Sequence, residues 1–363
     1  MDTQDILLDD IAAHPDDDAL RRIYADWLED QGDSERAEFI RVQLDLARLD
    51  EGDERWPALE SRCARLLGEH REEWLGPAPH EGADWTFHRG FPEQVEIDGP
   101  LAQSRLLRLL PAPVRSLALR RAKLSPEDLR ALLASAPLDR LEHLDLAGNP
   151  LGSEGVRVLL ESPVARHLRR LGLSHAGINA NAVELLCGSD AFAGLQSLDL
   201  GGNELGAAAT PFLAGARHLS SLRRLVLDRN RLAPTSVRDL AQSSRLRGLR
   251  CLSIRLNPLG SDGIAELCRD PSFPDLEELG LAGTQLTAPA LGQLGPLLGR
   301  LRVLDLEGNP IGSSGIEALM RCKAVPPLAH LDLHRCEIGD EGAKALARWP
   351  ALAALRELSL GCN

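Results

Sequence analysis

Three side chains with metal-binding chemistry alternate along a short stretch near the end of the chain. His330, Asp332 and His334 are two residues apart, so in a β-strand all three project from the same face. Asp305 and Glu307 occupy equivalent positions in a similar stretch that precedes it. Imidazoles and carboxylates that converge in this way can bind zinc or another divalent ion. The alternative interpretation is a solvated patch of ion pairs, because such residues are common on exposed faces.

A group of basic residues lies in the middle of the chain. Asp199, Asp228 and Glu277 are interspersed with it and partly neutralise it. A nucleic-acid site would combine a net basic domain with stacking aromatics, whereas this chain has a net charge of -13 and 3% aromatic residues. An acidic protein partner fits better, as does the acidic N-terminal part of this chain, and nucleic acid is not expected. The basic residues are Arg169, Arg170, Arg223, Arg224, Arg229, Arg250 and Arg255.

The sequence contains no motif of a common catalytic or nucleotide-binding site. The patterns G-x-x-x-x-G-K-[ST], G-x-G-x-x-G, G-x-S-x-G and H-E-x-x-H are all absent. We therefore predict a protein that is not an enzyme and has no cofactor. The alternative is a metal-dependent enzyme built on His330, Asp332 and His334.

A repeated leucine pattern supplies the elements that must position these residues. The pattern is L-x-x-L-x-L-x-x-N-x-L, and one copy consists of Leu141, Leu144, Leu146, Asn149 and Leu151. Successive copies begin 27 residues apart, except for one step of 25 residues. A fixed period of this length and internal spacing is typical of a leucine-rich repeat solenoid. The copies begin at Val114, Leu141, Leu168, Leu195, Leu222, Leu249, Leu276, Leu301, Leu328 and Leu355.

Each repeat predicts a strand, a turn and a helix. Within L-x-x-L-x-L the leucines point into the core and the intervening residues point outward, as strand geometry requires. The spacing of Val156, Leu159 and Leu160 then indicates a helix. Because helices are wider than strands, stacking bends the array. We predict an α/β horseshoe, a right-handed solenoid with about ten parallel strands on the concave face and the helices outside.

One polar position recurs where each predicted strand ends. An asparagine amide there can bond to backbone groups of the turn and of the next coil, which explains a polar residue at a buried position. Other copies have Ala122, Ala176, Thr284 or Cys336 at this position. The predicted structural ladder consists of Asn149, Asn203, Asn230, Asn257 and Asn309.

The outward positions of the strands form the predicted binding surface. We expect a non-catalytic interaction scaffold that binds a protein partner of unknown identity through the concave face. The contacts would use the arginines named above together with Asp145, Asp199, Asp305, Glu307 and Asp332.

The repeats resemble the ribonuclease-inhibitor-like class of leucine-rich repeats, which includes Ran GTPase-activating proteins. The resemblance covers residues 114–363 and implies the fold and protein binding. Because the fold would be shared with these regulators, the resemblance also suggests GTPase regulation as an alternative function. Ribonuclease inhibitor binds through tryptophans and acidic residues, an aromatic surface that this chain lacks. No motif of the Ran regulators can be carried over to a residue of this sequence.

Residues 1–99 differ from the repeats and predict a separate helical domain, with residues 100–363 as the repeat domain. The first 99 residues contain 27 Asp and Glu against 10 Lys and Arg, a net charge of -17, whereas the remainder carries +4. Capping residues and apolar spacing predict helices over 5–13, 19–30, 35–49 and 57–74. An extended segment is expected over 87–97.

Three strings in this region resemble the repeat-companion domain of planctomycete bacteria. They are YADWLE at Tyr24–Glu29, the pair Gly32–Asp33, and RAEFIRVQ at Arg36–Gln43. The resemblance spans most of residues 1–99 and implies no known activity. Because the end of a solenoid exposes an apolar core, we predict that this domain caps the first repeat. The expected packing positions are Tyr24, Trp27, Phe39 and Ile40.

The cysteines and the apolar segments of the sequence indicate where in the cell the protein is located. The cysteines number 7 and include no C-x-x-C pair, which indicates reduced thiols. The acidic N-terminus lacks the basic region of a signal peptide, and no apolar run is long enough to cross a bilayer. We expect a cytoplasmic monomer that does not bind a membrane.

Overall fold

A computed structural model describes residues 2–50, 52–76, 82–100, 114–135, 138, 140–269, 273–322 and 327–363. The chain divides into two compact units. Unit 1 comprises Met1–Ala122 and Ala131–His143, and unit 2 comprises Lys123–Arg130 and Leu144–Asn363. None of the described helices is both long enough and apolar enough to cross a membrane.

Unit 1 begins with four helices. They are α1 (Thr3–Ala13), α2 (Asp18–Asp30), α3 (Ser34–Leu46) and α4 (Trp56–Leu75). Carboxylates cap the second and third, because Asp17 accepts from the backbone N–H of Ala19 at 2.8 Å and Asp33 accepts from that of Arg36 at 3.1 Å. The predicted N-terminal helical module is therefore present, and α3 ends three residues earlier than expected.

The expected extended segment over 87–97 is present except at Arg89 and Gly90, where the chain turns. Strands β1 (Ala83–His88) and β2 (Phe91–Asp98) pair antiparallel, and β2 then pairs parallel with β3 (Ser116–Arg120). The turn consists of Arg89 and Gly90, both with positive φ. A Cβ atom at Gly90 would lie 2.5 Å from Cγ1 of Ile40, so only glycine fits.

The apolar core of unit 1 surrounds a buried arginine. Arg36 is 8% exposed, and in the described part of the chain its guanidinium has no hydrogen-bond or ion-pair partner. Its Cζ atom lies 4.7 Å from the ring centroid of Trp74 and 5.6–5.7 Å from those of Phe39, Phe87 and Phe91. Burial lowers the pKa of Arg36 to about 10. Four aromatic rings therefore take the place of a counter-ion.

The repeats form a series of short strands. From β5 to β12 each strand pairs parallel with the next one in the chain. The middle residue of each is a leucine of the repeat, and Leu198, Leu225 and Leu304 are fully buried. The strands are β4 (His143–Asp145), β5 (Arg170–Gly172), β6 (Ser197–Asp199), β7 (Arg224–Val226), β8 (Cys251–Ser253), β9 (Glu278–Gly280), β10 (Val303–Asp305), β11 (His330–Asp332) and β12 (Glu357–Ser359).

Helices alternate with these strands, and the predicted α/β leucine-rich repeat solenoid is confirmed. The repeat that is two residues short differs, because its single helix is replaced by two four-residue helices, Ala288–Leu291 and Gly295–Leu298. The other helices are Pro126–Ser135, Gly152–Glu161, Ala180–Gly188, Thr210–Gly215, Pro234–Ala241, Gly260–Leu267, Gly312–Met320 and Gly339–Leu346.

The recurrent asparagines join successive coils by hydrogen bonds. The side-chain oxygen of Asn257 accepts from the backbone N–H groups of Asn230 and Leu232, both at 2.9 Å. Its amide nitrogen donates to the carbonyls of Leu227 and Ile254, at 3.0 and 2.9 Å. Asn149, Asn203, Asn230 and Asn309 are likewise fully or almost fully buried and bond in the same way.

The structure adds a sixth asparagine to this set. Asn363 accepts from the N–H groups of Cys336 and Ile338 at 2.7 and 3.2 Å and donates to the carbonyl of Leu333 at 2.7 Å. It stands eight residues after Leu355, the spacing of the other five, so the sequence pattern could have identified it. Unlike the others it is exposed.

Candidate functional site

The parallel register of unit 2 arranges side chains in rows across the strands. Arg224 pairs with Cys251, and Val226 pairs with Ser253, so residues at the same repeat position are neighbours. Strand geometry puts the first and third residue of each strand on the face opposite the buried middle leucine. We call this surface of β5–β12, with the residues up to three positions before or after each strand, the strand face.

Three of the seven predicted arginines form no ion pair with a carboxylate within the described residues. Arg170, Arg223 and Arg229 are exposed, and none of them forms an ion pair within the described ranges. Nη1 of Arg223 donates to backbone carbonyls, those of Ser220 at 3.4 Å and Leu222 at 3.1 Å. Arg169, beside Arg170, is also exposed. The charges of Arg170, Arg223 and Arg229 are therefore available to a ligand at the β5–β7 end of the strand face.

The other predicted arginines are paired with carboxylates. Nη1 of Arg224 lies 3.1 Å from Oε2 of Glu278, two strands away, and 2.8 Å from the thiol sulfur of Cys251. Arg250 lies 3.8 Å from Glu277. Sequence reasoning missed Glu278, although it stands in the same row of the sheet as Arg224.

Arg255 reaches over one strand to a buried carboxylate. Its Nη2 atom lies 2.8 Å from Oδ2 of Asp305, which is 6% exposed. The strand between them contributes Gly280, where a Cβ atom would lie 2.8 Å from Nε of Arg255 and 2.7 Å from Oγ of Ser253. The glycine therefore leaves room for the guanidinium to cross the sheet.

The acidic residues near the last strands line a pocket of about 330 Å³. Carboxylate oxygens of Asp305, Glu307 and Asp332 all lie within 4.8 Å of one another. Glu357 and Arg255 also line this pocket. Burial raises the pKa of Asp305, and the neighbouring carboxylates add to the shift, whereas the N–H of Glu307 and the guanidinium of Arg255 oppose it.

The histidines of the predicted metal cluster have other contacts. Nδ1 of His330 lies 2.9 Å from Oε2 of Glu357, and the backbone N–H of His334 donates to Oδ1 of Asp332 at 2.8 Å. Among the described residues, the potential ligand atoms that converge here belong to Asp305, Glu307 and Asp332. The three carboxylates offer hard oxygen ligands, which suit calcium or magnesium rather than zinc.

The aspartates at the ends of the strands also have a structural role. Asp145, Asp199, Asp305 and Asp332 each accept, through Oδ1, a hydrogen bond from the backbone N–H two residues later, at 2.8–3.0 Å. Oδ1 of Asp199 accepts a second bond from Oγ of Ser174 at 2.8 Å. These bonds hold the turn that follows each strand, a role that the sequence analysis did not assign to them.

Comparison with known families agrees with this architecture. A family model described as Leucine Rich repeat matches residues 141–160, 301–320 and 326–347. The chain contains leucine-rich repeats. Two of the three matched segments include the residues that form the acidic pocket, Asp305, Glu307 and Asp332. No curated protein shows significant similarity to this chain.

Proposed function

We propose that this protein is a non-catalytic scaffold that binds a protein partner through the strand face of its leucine-rich repeats. The observation that supports this most directly is the set of exposed arginines without ion pairs, Arg170, Arg223 and Arg229. Three other arginines, Arg224, Arg250 and Arg255, satisfy their charge within the molecule. Leucine-rich repeats are widely used as binding surfaces, which favours a partner over a substrate.

The free arginines favour an acidic protein surface as the partner. Guanidinium groups bind carboxylates through paired hydrogen bonds, which gives them geometric specificity. Nucleic acid is less suitable, because the first and third residues of the described strands β5–β12 include no Trp, Tyr or Phe on which bases could stack. The net charge of -13 would also oppose a polyanion.

The test is a charge reversal limited to arginines that form no ion pair within the described residues. Arg170→Glu with Arg223→Glu should abolish capture of the partner from native lysate and leave the melting temperature unchanged. Arg224 and Arg255 are unsuitable, because a carboxylate at either position would face Glu278 or the buried Asp305 and would destabilise the fold.

A matched control removes the same charges elsewhere. Arg217 and Arg238 are exposed, lie in the helical segments Arg217–Leu219 and Pro234–Ala241, and have no ion pair in the described part of the chain. Arg217→Glu with Arg238→Glu should retain the partner. Equal retention by both double variants would contradict the proposed binding face.

We also propose assignments for the two parts of the sequence. Residues 1–99 would be a companion domain of the planctomycete type, which the strings at Tyr24–Glu29 and Arg36–Gln43 support. Residues 100–363 would be repeats of the ribonuclease-inhibitor-like class, which the 27-residue period supports. Expression of residues 100–363 alone, followed by circular dichroism and thermal unfolding, tests this boundary.

A further inference from the structure

We infer that the pocket formed by Asp305, Glu307 and Asp332 receives an arginine or lysine side chain of the protein partner. This inference rests on the proposed function, since it names a second contact on the same strand face. The partner would then be bipolar, with acidic residues against Arg170 and Arg223 and a basic side chain in the pocket.

The charges of the pocket are not balanced within the described chain. Four carboxylates line it, those of Asp305, Glu307, Asp332 and Glu357, together with the guanidinium of Arg255 and the imidazole of His330, which lies 2.9 Å from Glu357. The guanidinium of Arg255 pairs with Asp305, while its backbone N–H donates to Asp228 at 2.8 Å. Glu307 and Asp332 have no cation within ion-pair distance among the described residues, although their oxygens lie within 4.8 Å of each other. Carboxylates held this close repel each other, and an incoming cation would relieve the repulsion.

The ion pair of Arg255 shows that the carboxylates of this pocket can bind a guanidinium group. Its guanidinium binds the buried carboxylate of Asp305 at 2.8 Å, at the end of a side chain that lies along the sheet. A second long basic side chain, entering from solvent, would meet Glu307 and Asp332 on the open side. The volume of about 330 Å³ is larger than one guanidinium and its aliphatic stem require.

A metal ion fits this donor set less well than an organic cation. Both oxygens of Asp305 already accept, one from Arg255 at 2.8 Å and the other from the N–H of Glu307 at 2.9 Å. The guanidinium of Arg255 would also repel a divalent ion bound to the same carboxylate. A guanidinium or ammonium group can bind Glu307 and the remaining oxygen of Asp332, whose Oδ1 already accepts from the N–H of His334.

The two contacts have a defined separation along the sheet. Arg170 belongs to β5 and Asp305 to β10, so five strand spacings of about 4.8 Å put them roughly 24 Å apart. An extended spacer of about eight residues covers this distance. A single partner segment can therefore engage both ends of the strand face.

The experiment compares two synthetic peptides on the full chain. Each carries a block of aspartates, a Gly–Ser spacer of about eight residues and a final residue that is either arginine or its uncharged isostere citrulline. Fluorescence anisotropy should show that the arginine peptide binds roughly tenfold more tightly, as expected for charged hydrogen bonds. Glu307→Gln with Asp332→Asn should reduce this ratio to about one.

A second acidic cluster provides the matched control. Glu35, Glu69 and His70 of unit 1 also bring potential ligand atoms within 4.8 Å of one another. Glu35→Gln with Glu69→Gln removes the same charge as the pocket variant and should leave the ratio of affinities unchanged. An equal loss in both double variants would mean that net charge alone attracts the arginine, which overturns the assignment of the pocket.

Other outcomes separate the two proposals. If both peptides bind equally and both are lost from Arg170→Glu with Arg223→Glu, the strand face binds an acidic partner but the pocket does not take its basic side chain. Failure of either peptide to bind the wild-type chain would overturn the bipolar partner. Displacement of the arginine peptide, but not of the citrulline peptide, by millimolar calcium chloride at constant ionic strength would assign the pocket to a metal ion instead.

Discussion

The guanidinium of Arg255 and the carboxylate of Asp305 form an ion pair of 2.8 Å although they belong to repeats that are not adjacent. The side chain of Arg255 crosses β9 at Gly280, where a Cβ atom would come within 2.8 Å of it. Asp305 is thus buried under an arginine from two strands away.

Asp305→Asn should raise the free energy of unfolding near neutral pH. Burial raises the folded-state pKa of Asp305 above its ordinary value of 3.8, although the N–H of Glu307 and the guanidinium of Arg255 oppose this. The stability that this carboxyl group contributes is therefore complete below its unfolded pKa and is lost as the pH rises through the folded pKa. In urea unfolding at a series of pH values, the stability of Asp305→Asn relative to wild type should increase as the pH rises from 3.8 through the higher folded-state pKa of Asp305.

The control for this pH dependence is an exposed aspartate. Asp262, in the helix Gly260–Leu267, is exposed and forms no ion pair within the described residues, so Asp262→Asn removes the same charge without a buried environment. Its stability difference from wild type should stay nearly constant over this pH range. A constant difference for Asp305→Asn as well would contradict the burial of an ionised carboxylate at this position.

Asn257→Ala should lower the free energy of unfolding by about 3 kcal/mol. The change removes the acceptor for the N–H groups of Asn230 and Leu232 and the donor to the carbonyl of Leu227, and it leaves these backbone groups buried. Asn363→Ala removes equivalent bonds at an exposed position, where water replaces them, and should cost less than about 1 kcal/mol. Urea unfolding monitored by circular dichroism measures both values, and equal costs would argue against burial as the cause.

Arg36→Lys should destabilise unit 1 more than Arg36→Met does. The aromatic rings around Arg36 stabilise a flat, weakly hydrated guanidinium, whereas an ammonium group loses more hydration free energy on burial. Methionine fills much of the same volume without a charge, and its stability should stay within about 1 kcal/mol of wild type. The free energy of unfolding of Arg36→Lys should be about 2 kcal/mol lower than that of Arg36→Met.

Thermal and urea unfolding of the three proteins test this order. Arg36→Leu serves as a second uncharged variant, because its stability separates the effect of charge from that of side-chain shape. If Arg36→Lys is as stable as wild type, a positive charge of either shape is stabilised by the four aromatic rings around position 36. If methionine is destabilised as strongly as lysine, the contacts of the planar guanidinium with Trp74 and its neighbours are the dominant contribution.

The regular part of the fold could be predicted from the sequence because its determinants are local. Each repeat encodes its own strand, turn and helix, and neighbouring repeats pair in register because they share one period. The same spacing predicted the buried positions of Asn149, Asn203 and Asn257, and it also applies to Asn363. In unit 1, capping carboxylates and apolar periodicity similarly determined four helices.

Tertiary structure alone decided which polar groups on the strand face are free. The sequence places seven arginines near the strands but does not reveal that Arg224 and Arg255 reach carboxylates two strands away while Arg170 and Arg223 reach none. These distances depend on how long side chains cross neighbouring strands, which varies with small residues such as Gly280. The aromatic cage of Arg36 likewise joins residues far apart in the chain, since hydrophobic and cation–π contacts are set by packing rather than by sequence spacing.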